Sequence, residues 1–160
     1  MPTNIQGSNW LQILNKIFSG SNGNGVLRVA QFTFDTAGYD SSAAANTTVA
    51  AHGTGVTLPA NAMVVGGFFD VKTAFTSAGG TATIAISVEG ANDIQTAAAV
   101  SGAPYSTINR KAITPKANTP ESTSVKTTAA REITCTVAVQ VLTAGKLTGY
   151  LYYLEGVASA

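Results

Sequence analysis

The side chains that most often carry enzyme chemistry are few and scattered in this sequence. It has one histidine, His52, one cysteine, Cys135, and eight carboxylates. A hydrolase needs a nucleophile beside a base, or two carboxylates within reach of one substrate, and a single histidine and cysteine cannot complete a zinc site. We therefore expect no enzyme activity, no catalytic residue and no metal or other cofactor. The carboxylates lie far apart, mostly beside turns: Asp35, Asp40, Asp70, Glu89, Asp93, Glu121, Glu132 and Glu155.

Other site motifs are also missing. No carboxylate-rich loop has calcium spacing, and Gly20, Gly23 and Gly25 precede a predicted strand, whereas a phosphate-binding loop precedes a helix. We expect His52 to be a hydrogen-bonded loop residue and Cys135 to be a small core residue on the apolar face of a strand. A hydrolase would need His52, Cys135 and a carboxylate to converge in space. We expect no small-molecule substrate.

Composition points to a domain that is covered by partners. The chain has 160 residues, enough for one domain with its own core. Charged residues make up 11% of it, against roughly 25% in ordinary soluble domains, so its surface is weakly protected against association. The net charge of +1 gives no reason to expect a nucleic acid.

The start lacks a secretory signal pattern, no apolar run approaches the roughly 20 residues that cross a membrane, and the single cysteine suits synthesis in a reducing cytoplasm.

Two alternating stretches in the middle of the chain predict long strands joined by a Gly-rich turn. The second stretch places Ala82, Ile84, Ile86 and Val88 on one face. Alternation with period two is typical of a half-buried strand. An apolar face this large requires other strands to cover it. The predicted inward set of the first stretch is Met63, Val65, Gly67, Phe69, Val71, Thr73 and Phe75.

Shorter patterns predict further elements on either side. Residues 26–34 form a first strand with Val26, Ala30, Phe32 and Phe34 inward, and residues 47–51 form a short second strand that ends in a turn at His52 and Gly53. Pro59, Ala60 and Asn61 form a tight turn. Residues 91–100 are predicted to make one or two helical turns. Residues 107–123 form a surface loop with an edge strand at most, because Pro115 and Pro120 cannot donate to a ladder.

The last part of the chain predicts a second hairpin. Its first strand has an inward set, its turn comprises residues 143–146, and its second strand comprises residues 147–154. The last strand has no charged face, so both of its faces must be covered. Tyr150 and Tyr152 then lie either in a contact between subunits or at the rim of the domain. The inward set of the first strand is Ile133, Cys135, Val137, Val139 and Val141.

The beginning of the chain has a different pattern. Residues 9–18 have the spacing of an amphipathic helix, and the Gly, Ser and Asn of residues 19–25 make a flexible tether. We expect residues 1–25 to be an arm and residues 26–160 to be the β domain. The helix either folds back on its own domain or reaches a neighbouring subunit or another protein. With Tyr150 and Tyr152, the predicted partner contacts are Trp10, Leu11, Ile13, Leu14, Ile17 and Phe18.

Short strands separated by turn signals predict an all-β fold, a jelly-roll or Greek-key β-sandwich. A sandwich with a low-charge surface and no site chemistry suits a structural protein of an assembly. Closed cyclic symmetry buries such faces efficiently, and we expect a homotrimer.

Four segments resemble small virion proteins of tailed bacteriophages: residues 58–65 (LPANAMVV), 69–75 (FDVKTAF), 80–84 (GTATI) and 142–146 (LTAGK). The resemblance covers residues 47–156 and departs at Asn61, where glycine is commoner. It implies a capsid cement or decoration protein that sits as a trimer on the outer surface of the phage head, where major capsid protein subunits meet. A receptor- or carbohydrate-binding module of a fibre or tail is the alternative. Exposed aromatic residues beside acidic loops would favour that module.

Overall fold

The computed structural model describes residues 26–38, 46–115 and 124–155. Within these ranges every regular element is a β-strand. The predicted N-terminal helix, the tether and the boundary at residue 25 lie outside the described residues, so they stay predictions. The strands are β1 Val26–Asp35, β2 Ala51–Leu58, β3 Met63–Ser77, β4 Thr83–Ser87, β5 Gln95–Ala99, β6 Arg110–Ile113, β7 Val125–Lys126, β8 Arg131–Ala138 and β9 Leu142–Glu155.

The strands form two antiparallel sheets that enclose one core. The first sheet has the order β1-β9-β3-β6, with β7 also pairing with β3, and the second has the order β2-β8-β4-β5. Apart from β7, each sheet takes four strands, and the chain crosses repeatedly from one sheet to the other, as in a jelly roll. The predicted all-β sandwich is therefore confirmed, in its jelly-roll form.

The core follows from the alternation along β1 and β9. Phe32 lies opposite Gly149 and Phe34 lies opposite Leu147, and all these positions are buried. The ring of Phe32 fills the space that a side chain at position 149 would need. The second sheet faces these rings with its own apolar side chains, Ile84, Ile86, Ile133, Cys135 and Val137. The predicted inward residues of β4 and of residues 26–34 are confirmed, except Val26, whose side chain is not described.

The predicted faces of β3 are right at Phe69, Val71 and Phe75. They are wrong at Thr73, which is exposed and follows a shift in the register with β9, and at the start of the strand. Val64 is fully buried and Val65 is 42% exposed, the reverse of the prediction. The cause is a shift in the register with β9 directly after Val64, because an irregularity of one residue moves the following side chains to the opposite faces.

Two predicted elements near the sheet edges were wrong. Residues 91–94 form a turn and residues 95–99 form the edge strand β5 instead of helical turns, because the buried Asp93 carboxylate accepts hydrogen bonds from three successive backbone N–H groups and closes the turn after β4. The second strand begins at Ala51, so His52 and Gly53 lie inside β2 and pair with β8. The turn at Pro59 and Asn61 and the edge strand β6 were predicted correctly.

The turn between β8 and β9 lies earlier than predicted. β8 ends at Ala138 and β9 begins at Leu142, so residues 143–146 belong to a strand. Val139 adopts a φ of 71° in the turn and is 71% exposed, and Val141 is 48% exposed. The placement of both valines on the core face was wrong, because the turn carries them away from the sheet.

Candidate interaction surface

His52 and Cys135 lie opposite each other in the β2–β8 ladder. The Nε2 atom of His52 donates to the carbonyl oxygen of Thr48 at 2.8 Å, and its ring packs 5.9 Å from that of Phe34. Cys135 is fully buried, and burial raises the pKa of its thiol. A buried thiol in an apolar setting is a poor nucleophile. The contacts of His52 and Cys135 are therefore those of residues that pack and hydrogen-bond within the fold.

The carboxylates of the described residues stabilise strand ends and turns. Asp93 binds backbone N–H groups, Glu132 accepts from the N–H of Gly55, and Glu89 joins Arg131 to Thr128. The remaining three form ion pairs: Asp35 with Lys146, Asp70 with Arg110 and Lys72, and Glu155 with Arg28. Among the described residues, no three histidine, cysteine or carboxylate groups come together as metal ligands.

Ion pairs lower the pKa values of three of these carboxyl groups. Hydrogen bonds from Arg110 lower the pKa of Asp70 to about 2, and hydrogen bonds from Arg131 lower the pKa of Glu89 to about 2. Burial alone would raise the pKa of Asp35, but the hydrogen bonds from Lys146 and the N–H of Ala37 outweigh it, so this pKa is also lowered. A general acid or base that works near neutrality needs a pKa close to that pH, and none of these three carboxyl groups has one.

An apolar surface lies on the outer side of the first sheet. The buried residues of β1 and β9 face the core, so the alternate residues of these strands face outward. Neighbouring outward pairs are Leu27 opposite Leu154 and Val29 opposite Tyr152, and Phe68 of β3 lies opposite Tyr150. We call this surface the outer aromatic face; it comprises Leu27, Val29, Phe68, Tyr150, Tyr152 and Leu154.

Aromatic stacking organises the centre of the outer aromatic face. The ring of Phe68 stacks on Tyr150 at 4.8 Å and meets the edge of Tyr152 at 6.3 Å. Such pairs add about 0.5–1.5 kcal/mol beyond area burial. The guanidinium of Arg110 lies 4.6 Å from the centroid of Phe68 while it pairs with Asp70. The surface is therefore apolar at its centre, with an ion-paired border on this side.

The outer side of the second sheet is different. Between the Thr83–Ala138 and Ser87–Thr134 pairs its outward positions carry small neutral side chains, and the acidic side chains Glu89 and Glu132 lie beyond the second pair. A shallow depression of about 510 Å³ lies there, lined in part by Thr83, Ala85, Thr134, Thr136 and Ala138. The centres of the two outer faces therefore differ in side-chain size, with aromatic rings on the first sheet and small side chains on the second.

The structure brings together only part of the predicted partner contacts. Tyr150 and Tyr152 share the outer aromatic face, whereas Trp10, Leu11, Ile13, Leu14, Ile17 and Phe18 lie outside the described residues. Sequence reasoning missed Phe68, Leu27 and Val29. The signal was present at Phe68, since it adjoins the inward Phe69 and a strand must turn such neighbours to opposite faces. No helix in the described part of the chain has the length and hydropathy needed to cross a membrane.

Chains from three phage capsids share this fold. A chain in the capsid of Ralstonia phage GP4 is 17% identical with a TM-score of 0.59, over 86% of this chain and 89% of that chain. A chain in the capsid asymmetric unit of cyanophage Pam1 is 18% identical with a TM-score of 0.57, over 82% and 86%. A chain in the acid-stable capsid of Helicobacter pylori bacteriophage KHP30 is 14% identical with a TM-score of 0.55, over 82% and 89%.

No protein-family model and no curated protein matches the sequence. At such low identities the likeness to the capsid chains is one of fold. The jelly roll of this chain is therefore a fold found in phage capsids, which confirms, for the fold, the resemblance seen in the sequence.

Proposed function

We propose that this protein is a structural virion protein, a capsid cement or decoration protein of a tailed phage. It binds as a homotrimer to the outer surface of the head and stabilises contacts between major capsid protein subunits. It is made in the host cytoplasm and has no catalytic activity, nucleic acid partner or membrane partner.

The observation that carries this proposal is the shared fold with capsid chains over most of the sequence. The matched stretches span 82–86% of this chain and 86–89% of the other chains, so the capsid chains are close to this one in length. The capsid chains that share this fold are therefore small proteins, and a decoration protein is also a small component of a capsid.

The chemistry of the described residues supports a binding role. Every carboxylate among them has a structural partner, and the centres of the two outer faces carry uncharged side chains. A protein of this kind gains affinity from buried area that is repeated over many sites of a lattice, where avidity compensates for modest single contacts. Because few charges are involved, binding should depend only weakly on salt concentration.

The direct test adds the purified full-length protein to expanded capsids that lack it. We expect co-sedimentation that persists at high salt, and capsids that resist heat and dilution better than untreated ones. Absence of binding would reject the cement role. Sedimentation equilibrium of the free protein tests the trimer separately, since a monomer at high concentration would reject that part alone. Thr136→Lys and Thr33→Lys, which add the same charge to opposite outer faces, locate the face that meets the capsid.

A receptor- or carbohydrate-binding module of a fibre or tail is the second candidate. One observation favours it: the rings of Phe68, Tyr150 and Tyr152 stack on one face, and Asp70 lies on the same face two residues along β3 from Phe68, so aromatic and acidic groups are neighbours there. Binding of the protein to intact host cells or to their surface glycans, lost in Tyr152→Ala and combined with failure to bind capsids, would replace the cement role by this one.

A further inference from the structure

We propose that residues 9–18 of this chain pack on the outer aromatic face of their own domain. Both partners are apolar, the tether joins them at the correct place, and their dimensions agree. The inference does not depend on the capsid role, because it concerns only how the chain covers itself.

The outer aromatic face is incompletely covered by the described residues. Leu27 and Val29 are 62% and 58% exposed, and Phe68, Tyr150 and Tyr152 stay half-buried although they stack on one another. Soluble proteins seldom leave contiguous apolar patches of this kind in contact with water. The carboxylate and the guanidinium at the border already pair with each other, so the surface suits an uncharged apolar partner.

The described chain begins beside this surface. β1 starts at Val26, and the next residue, Leu27, is already part of the outer aromatic face. The tether of residues 19–25 has seven residues, which span up to about 25 Å when extended. Phe68 lies two strands across and about five residues along from Val26, roughly 19 Å away at standard strand spacings. The whole surface is therefore within reach of residues 9–18.

The predicted helix also matches the surface in size and pattern. Ten residues of helix are about 15 Å long and about 10 Å wide. From the row of Leu27 to the row of Tyr150 the surface measures about 14 Å along the strands, and from β1 to β3 it measures about 10 Å. The helix has six apolar residues, four of them at the spacing that forms one stripe: Trp10, Ile13, Leu14 and Ile17.

The tether favours the chain's own domain over a second copy. A short flexible linker holds its two ends at an effective concentration in the millimolar range. A free second copy would match this only at comparable protein concentration, and a neighbouring subunit of the proposed trimer would match it only if its outer aromatic face lay within the same reach of the tether. The sequence pattern left both arrangements open, and the position of Val26 beside the surface favours packing within one chain.

Trp10 is the single tryptophan of the chain, so its fluorescence reports directly on residues 9–18. In the full-length protein we expect blue-shifted emission and several-fold weaker acrylamide quenching than in the denatured chain, unchanged on dilution. Val29→Asp should shift the emission toward that of the denatured chain. Val139→Asp is the matched control, because Val139 is exposed to a similar degree, 71%, in the distant β8–β9 turn. Circular dichroism confirms that both variants keep the fold.

Solvent-exposed Trp10 in the native protein would overturn the proposal, and so would buried Trp10 that ignores Val29→Asp. A short bismaleimide crosslinker then separates the two arrangements. In the double variant Ile13→Cys/Val29→Cys we expect crosslinking within one chain, and none with Ile13→Cys/Val139→Cys. Crosslinks between chains, formed when Ile13→Cys and Val29→Cys proteins are mixed, would overturn packing on the own domain in favour of a second copy.

Discussion

Gly149 offers a sharp test of the packing between β1 and β9. A Cβ at this position would overlap the ring of Phe32, which is buried in the core. Gly66, on the neighbouring strand β3, has no heavy atom within 4 Å of the corresponding point. Neither Gly149 nor Gly66 has a positive φ, so backbone strain does not distinguish them. Gly149→Ala and Gly66→Ala therefore differ mainly in the space available to one methyl group.

The expected magnitudes follow from that difference. Overpacking of a well-filled core costs about 1–3 kcal/mol, so Gly149→Ala should lower the free energy of unfolding by that amount. At about 2–4 °C per kcal/mol for a chain of this size, the melting temperature should fall by about 2 to 12 °C. Gly66→Ala should be neutral or should stabilise by up to about 1 kcal/mol, because alanine restricts the unfolded chain.

The assay is urea unfolding at one fixed protein concentration, since self-association would make stability depend on concentration. Phe32→Leu should partly rescue Gly149→Ala, with a coupling energy of about 0.5–3 kcal/mol in the double-mutant cycle. Equal effects of the two alanine substitutions, or additivity of Phe32→Leu with Gly149→Ala, would refute the register that places Phe32 over Gly149.

Three further predictions concern polar and thiol groups. Asp93→Ala should cost about 2–4 kcal/mol in urea unfolding, because three backbone N–H groups lose a buried carboxylate partner; Asp93→Asn, which keeps one oxygen acceptor, should cost less. The lowered pKa values of Asp70 and Glu89 contribute stability that is complete above the ordinary carboxyl pKa of about 4. It should be lost as pH falls toward about 2, and thermal unfolding of Glu89→Gln should show a shallower acid limb; an unchanged limb would contradict the assignment to Glu89. Cys135 is buried with a raised pKa, so a maleimide should label the denatured chain and leave the native protein unlabelled; rapid native labelling would contradict the burial.

The sequence predicted those parts of the fold in which local pattern and final pairing agree. The alternation of Ile84 and Ile86 gave the inward face of β4 because no bulge interrupts it before Ser87 on its β8 side. The alternation along β3 gave the wrong face for Val65, because a register shift depends on the partner strand β9, which the local pattern does not contain. The sequence pattern also gave the wrong element at residues 91–100. There the side chain of Asp93 closes a turn, and the alanines that favour a helix pair with β4 in an edge strand.

The outer aromatic face shows why an interaction surface is harder to predict than a core. Tyr150 and Tyr152 were identifiable from β9 alone, since a strand without a charged face needs cover on both sides. Phe68 joined them only through the long-range register that sets it opposite Tyr150, and Val29 only through the pairing of β1 with β9. A core residue can be predicted from the inward face of its own strand, whereas a surface patch requires that outward residues of several strands fall on the same part of one face. That coincidence is a property of strand order, so it becomes visible only once the jelly-roll topology is known.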